Sequence, residues 1–299
     1  MSAVAKPRQI LESSVLKTFN ARSNVRGTTR LIGHLTIMVA SGCLWLSPNN
    51  WLKLPALIIY GFSFAAMFAV VHECCHRTAF ANNKLNDLVA WWAGVLSGYN
   101  STFYRRYHKW HHRYTRIEGK DPELEDIQPS NLREYLIEIS GYNWWLGKIK
   151  THFRVATGKL DNMPYICEDA RTKVINSTRW QLLVYGIAIA LSLIFQQPWF
   201  ITLWLLPLAV GQPILRFILL AEHTGCTKDD NPLANTRTTI TWLPIEFMMW
   251  NMPFHAEHHL YPSIPFHALP QAHQELTGHF AVVEQGYLKV NHNIVSNFE

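Results

Sequence analysis

The sequence predicts an all-α integral membrane protein, with four transmembrane helices in two hairpins and a cytosolic cap of histidine-bearing helices. Three observations carry this. Four runs of the chain are apolar and almost free of charge. Charged residues make up only 16% of the 299, and aromatic residues reach 13% with 12 Trp; soluble domains carry roughly 25% charged residues. Eight of the 15 histidines stand at helical spacing in three clusters, each beside an apolar run.

Residues 1–30 carry Lys6, Arg8, Lys17, Arg22, Arg26 and Arg30 with no apolar core and cleavage site following, so they read as a cytosolic segment and not as a signal peptide. Leu31–Ser47 is the first apolar run, Ser47–Asn50 is a turn, and Leu54–Val71 is the second run. Each is near the short end of the roughly 17–25 residues that cross a bilayer. Leu85–Tyr99 is short for a span and contains Asp87, which suits a helix at the interface or under the bundle. Tyr104–Lys120 is strongly basic, and Asp121–Gln128 is acidic and turn-like. Leu132–Ala156 mixes apolar residues with cations, as an amphipathic interfacial segment does. Asp161–Arg179 reads as a polar loop. Trp180–Gln196 and Trp199–Leu220 form the second pair of apolar runs around a Gln197-Pro198 turn. Ile240–Phe254 is a further apolar segment, and the tail from His267 reads as polar and aqueous.

The domain organisation that follows is one unit over residues 1–299, with hairpins at 31–71 and 180–220 and the cap at 72–179 and 221–299. Lys and Arg set its orientation. The two tight turns hold one cation, Lys53, between them, whereas the N-terminus and the middle segment hold many. Both termini and all three clusters are therefore expected on the cytosolic side. A net charge of +6 and a pI near 9.1 would suit nucleic acid or an anionic membrane surface. The membrane is favoured because the cations flank the apolar runs. Five cysteines at irregular spacing, with no C-x-x-C pair, argue against a disulfide framework or a built-in iron–sulfur cluster.

The clusters carry the chemistry. His255, His258 and His259 fall at i, i+3 and i+4, and so do His108, His111 and His112; His72 and His76 form an i, i+4 pair. Residues at these spacings share a helix face. Neutral imidazole is the commonest metal ligand, so each cluster is a metal claw. Eight ligands exceed the needs of one ion and fit two. His223 is the natural ninth, just past the fourth run as His72 is just past the second; the alternative is an imidazole paired with Glu222. An all-imidazole set suits iron, zinc or copper.

His72-Glu-Cys-Cys-His76, His108-Lys-Trp-His-His112 and His255-Ala-Glu-His-His259 resemble the three histidine boxes of the membrane fatty acid desaturase and hydroxylase superfamily. The resemblance runs from about Leu31 to Pro262. It implies two iron ions at the cytosolic face, with O2 as co-substrate, acting on an unactivated C–H bond of a lipid or acyl chain. His223 in Ala-Glu-His-Thr-Gly resembles the extra histidine of several members. Asn251, four residues before His255, is expected on the same helix face, where its amide could hold a metal-bound water; a helix-surface Asn is the alternative. Asp121, in an acidic stretch seen in many desaturases, is expected to orient an imidazole. Cys75 shares a face with box one and is expected to pack. No cytochrome b5-like His-Pro-Gly-Gly and no G-x-G-x-x-G occur, so electrons are expected from a separate ferredoxin or cytochrome b5 type donor. The basic stretch 105–120 suits an acidic donor or lipid headgroups equally. Desaturation of an acyl lipid is the expected activity. The alternatives are a hydroxylase, ketolase or alkene-forming decarboxylase of the same superfamily and, from another class, a membrane metal carrier or sensor. A carrier would need ionisable groups within the spans, for which Arg216 and His34 are the candidates.

Overall fold

A computed structural model describes residues 10–48, 50–124 and 128–298. Residues 1–9 of the N-terminal segment and 125–127 of the acidic stretch lie outside these. The helices in order are α1 (Ser13–Phe19), α2 (Asn24–Leu46), α3 (Asn50–Ala65), α4 (Met67–His76), α5 (Asn83–Ser97) and α6 (Ser101–Tyr114). There follow α7 (Leu132–Ile139), α8 (Tyr142–Ala156), α9 (Glu168–Ile194) and α10 (Leu206–His223), the last preceded by a π-helical turn over Ile201–Leu205. After α10 come β1 (Thr238–Ile240), α11 (Leu243–Met248), α12 (His255–Leu260), α13 (Leu269–Glu275), β2 (Val283–Gln285) and α14 (Tyr287–Ser296).

Among the described residues, four helices are long and apolar enough to cross a membrane: Asn24–Leu46, the continuous α3–α4 rod Asn50–His76, Glu168–Ile194 and Ile201–His223. They coincide with the four expected runs but extend further. The second does not stop at Val71, so His72 and His76 ride on its last turns. The third begins at Glu168 inside the expected polar loop. That stretch is helical because Ala170, Val174, Thr178 and Gln181 recur on one buried face, while Glu168 and Asp169 favour the positive end of the helix.

The rods pack through small residues. α3 lies along both α2 and α10. At the α3–α10 crossing a Cβ on Gly61 would sit 2.6 Å from the Pro207 carbonyl oxygen, and one on Gly211 would overlap the Gly61 carbonyl. Only glycine lets the two backbones approach this closely. α9 packs instead on α8 and α6.

The capping helices begin where the sequence supplies caps. The Asn82 side chain accepts from the amides of Lys84 and Leu85 to start α5, and Asn100 accepts from Phe103 to start α6. The amphipathic 132–156 segment breaks into α7 and α8 at Gly141, which has φ 77°. Along α8, Tyr142, Leu146, Ile149 and Phe153 form one exposed apolar stripe, while Trp144 and Val155 are buried.

Two expectations need correction. Ile240–Phe254 is not one apolar lead-in to the third box: it holds the end of β1, then α11, then a reversal at Trp250 and Asn251, both with positive φ. The tail from His267, read only as polar and aqueous, carries ordered elements that the reading did not include. β2 pairs in parallel with β1, Thr238 opposite Val283, and α14 buries Tyr287, Val290 and Ile294 against the bundle.

Candidate metal centre

Four helix segments meet at one point: the ends of α4 and α10, the C-terminal half of α6, and α12. His72, His76, His108, His112 and His258 form one group whose ligand atoms lie within 4.8 Å of one another. His111, His223 and His259 form a second. His255 joins the second group, its Nε2 3.3 Å from His223 Nε2 and 3.1 Å from His259 Nε2. All nine sequence-predicted histidines are thus together; His72 and His76 stay in one group, and the two three-histidine claws are divided. α6 sends His108 and His112 to one group and His111 to the other; α12 sends His258 to the first and His255 and His259 to the second.

The geometry fits metal ions better than hydrogen bonding. His112 Nε2 is 3.0 Å from both His108 Nε2 and His258 Nε2, and His111 Nε2 is 3.4 Å from His259 Nε2. With bonds of about 2.1 Å, nitrogens on one octahedral or tetrahedral ion lie about 3.0–3.4 Å apart. Among the described residues, the buried Nε2 atoms of His72 and His76 have no hydrogen-bond partner, an arrangement that costs stability unless something ligates them.

Partners on the outer side of several rings hold Nε2 inward. His111 Nδ1–H donates to Asp121 Oδ1 at 2.9 Å, and Asp121 also accepts from the Arg116 and Glu123 amides. His223 Nδ1–H donates to the Asn235 carbonyl at 3.1 Å, and His259 Nδ1–H to Thr115 Oγ1 at 3.2 Å. Such contacts fix tautomer and ring orientation. Burial lowers the pKa of His108, His112, His255, His258 and His259, which keeps these imidazoles neutral. His111 is the exception. Burial opposes its charge, but the Glu123 and Asp121 carboxylates raise its pKa above the usual imidazole range.

Asp121 sits where the sequence suggested. Asn251 does not: it is in the reversal before α12, with φ 58°, and not on the helix of His255. Its Nδ2 donates to the Phe266 carbonyl at 2.9 Å, so the expected same-face position is lost. Cys75 packs as expected, its thiol 3.5 Å from the Ser101 carbonyl. His34 is pinned in the core, donating to the Ser63 carbonyl and accepting from Trp250.

Sequence reasoning gave no place at the centre to three carboxylates, Glu73, Glu123 and Glu257, and weighed Glu222 only as a partner of His223. Glu123 Oε2 lies 3.5 Å from His111 Nε2 and Glu222 Oε2 lies 3.4 Å from His255 Nε2, so both reach the second group. Glu73 accepts from the Phe266 amide at 2.9 Å. Glu257 accepts from Thr238 of β1 and, at 2.6 Å, from His273 of α13. These last two anchor the box helices from the face opposite the histidines. The available signal was an acidic residue inside or next to each box.

A cavity of about 360 Å³ opens on the centre. His72, His108, His111, His223 and His255 line it together with Phe68, Tyr99, Tyr104, Trp144 and Met252. Two adjacent imidazole groups beside one aromatic-walled cavity suit two ions working on a single substrate.

The comparisons with known proteins agree with this arrangement. The fatty acid desaturase family model matches residues 49–290. The sn-1 oleoyl-lipid 12-desaturase of Picosynechococcus sp. is 25% identical over 296 residues, covering 90% of this chain and 79% of that protein. The Synechocystis sp. protein of the same name is 28% identical over 257 residues, covering 80% and 72%. Dihydrorhizobitoxine desaturase of Bradyrhizobium elkanii is 25% identical over 289 residues, covering 89% and 78%. With four candidate spans, clustered histidines and a match over most of its length, this chain belongs to the fatty acid desaturase family of multi-pass membrane oxidoreductases.

Proposed function

We propose that the protein carries out O2-dependent desaturation of an acyl lipid, as a single membrane domain whose termini and metal centre face the cytosol. The observation that carries this is the meeting of nine imidazoles, in two adjacent groups, at the wall of one aromatic-lined cavity. His72, His76, His108, His112 and His258 would hold one iron, and His111, His223, His255 and His259 the other. Bound there, the iron pair supplies activation of O2 and removal of hydrogen from an unactivated C–H bond. Asp121 holds the proton of His111 on Nδ1 and so keeps Nε2 a ligand. Phe68, Tyr99 and Tyr104 exclude water and guide the chain past the histidines. The exposed apolar stripe of α8 rests in the bilayer interface, close to where substrate enters. Electrons come from a separate donor. The names of the cyanobacterial relatives support an acyl-lipid substrate.

Lipid profiling of an aerobic host with and without the protein tests the reading. The expected result is a species lighter by two hydrogens that disappears when O2 is withheld. A species heavier by one oxygen would replace desaturation with hydroxylation.

A further inference from the structure

The two imidazole groups are unequal. The first has five members, His72, His76, His108, His112 and His258, and the second has four, His111, His223, His255 and His259. Glu222, the residue before His223 on α10, approaches the smaller group. Its Oε2 is 3.4 Å from His255 Nε2, and the Nε2 atoms of His223 and His259 lie 3.3 and 3.1 Å from that same nitrogen. All three spacings match the roughly 3.0–3.4 Å between ligands of one ion with bonds of about 2.1 Å. The side of approach separates two roles. An outer carboxylate takes the nitrogen that points away from the centre, as Asp121 does at His111 Nδ1. Glu222 instead stands at Nε2, while His255 Nδ1 has no hydrogen-bond partner among the described residues. Its spacing is also longer than the roughly 2.7–2.9 Å of a charge-assisted hydrogen bond. Glu222 Oε1 is buried and likewise without a hydrogen-bond partner among the described residues, which is costly unless something ligates it. Glu123 is the other carboxylate in reach, 3.5 Å from His111 Nε2. It is 33% exposed, against 12% for Glu222, and its second oxygen leans toward His108 Nδ1 of the first group at 3.8 Å.

We propose that the Glu222 carboxylate is a ligand of the second ion, so that the two ions are chemically inequivalent: one held by five imidazoles, the other by four imidazoles and an anionic oxygen. This rests on reading the nine histidines as a two-ion centre. A carboxylate is a hard anionic donor, whereas imidazole is a neutral and softer one. It therefore offsets one positive charge on the second ion alone, at the wall of the cavity that Glu222 also lines.

Purified protein loaded with isotopically enriched ferrous iron without O2, read by Mössbauer spectroscopy and by chelator competition, tests this apart from turnover. The parent should hold two ions and show two distinct quadrupole doublets. Glu222→Gln keeps the size of the side chain and removes its charge. It should weaken one ion by at least about tenfold, since even an outer partner of a ligating histidine is worth about 10- to 100-fold, and should change one doublet while leaving the other. Glu123→Gln should weaken that ion less. Unchanged affinity and an unchanged spectrum in Glu222→Gln overturn the proposal and reduce Glu222 to a charge partner of Arg216 on the same helix. A larger loss in Glu123→Gln than in Glu222→Gln overturns it too. Should Glu222→Gln lose both ions through misfolding, Glu222→Ala titrated with acetate decides: the free carboxylate should restore the second ion, and no response to acetate overturns the proposal. A parent that binds fewer than two ions removes the two-ion reading itself, whereas two ions held alike by parent and Glu222→Gln remove this ligand alone.

Discussion

His111 differs from the other histidines of the centre in its carboxylates. Asp121 and Glu123 both reach it, and its proton is placed on Nδ1 by Asp121. Replacing Asp121 with Asn keeps an acceptor but removes the charge. Metal affinity of the second group should then fall about 10- to 100-fold, as for other outer-shell partners of ligating histidines, while the first group keeps its ion. A chelator competition titration with metal counting reads this out. Unchanged affinity would reduce Asp121 to a cap for the Arg116 and Glu123 amides. A second residue-scale prediction concerns His273. Its hydrogen bond to buried Glu257 raises its pKa, with burial opposing. A histidine with a raised folded pKa contributes stability that is full below its unfolded value of about 6.5 and is lost as pH rises through the folded value. The melting temperature of His273→Asn should therefore fall short of the parent more at pH near 5.5 than at pH near 8.5. An equal shortfall at both would assign His273 a packing role alone.

At the scale of elements, the α3–α10 crossing sets where His223 stands. The Gly61–Gly211 contact is backbone against backbone, so a larger residue cannot be absorbed by a rotamer change. Gly211→Leu should force the helices apart at a cost of about 1–3 kcal/mol or more. His223 and Glu222, on the end of the displaced rod, should leave the second group while α6 and α12 stay in place. The expected result is a protein that retains one metal per chain instead of two. Retention of both would mean that the rods bend independently of the site. The π-helical turn at Ile201–Leu205 and Pro213 lie in the same rod.

For the whole molecule, the centre is the junction of α4, α6, α10 and α12, which come from both halves of the chain. The inward Nε2 atoms of His72 and His76, without hydrogen-bond partners among the described residues, are a local cost wherever no ion ligates them. A ligand at a thousandfold excess over its Kd stabilises the folded state by about 4 kcal/mol, and each ion acts through that linkage. Chelation should lower the thermal midpoint of the entire domain in one transition and not melt the cap alone. Two separated transitions would show that the membrane rods and the histidine-bearing helices fold independently. β1 and β2 reinforce the coupling, because Glu257 of the third box accepts from Thr238 of β1 and β1 pairs with β2 near the C-terminus.

The i, i+3, i+4 spacings, the four apolar runs and the acidic residue after the second box are local features, and they were legible in the residues themselves. Helical geometry places His108, His111 and His112 on one side of α6 whatever surrounds it. That spacing cannot say that His108 and His112 fall in one group and His111 in the other. The division depends on how α6 and α12 are rotated about their axes, and packing against α4 and α10 sets that rotation. Asn251 was misread for the same reason, since its place depends on a chain reversal that periodicity does not encode. Likewise, Glu123, Glu222 and Arg216 reach the cavity only because their helices converge on it. The sequence by itself determined which chemistry the chain carries and on which helices. Tertiary packing decided how nine equivalent imidazoles divide, because that division is a property of distances between elements far apart in the chain.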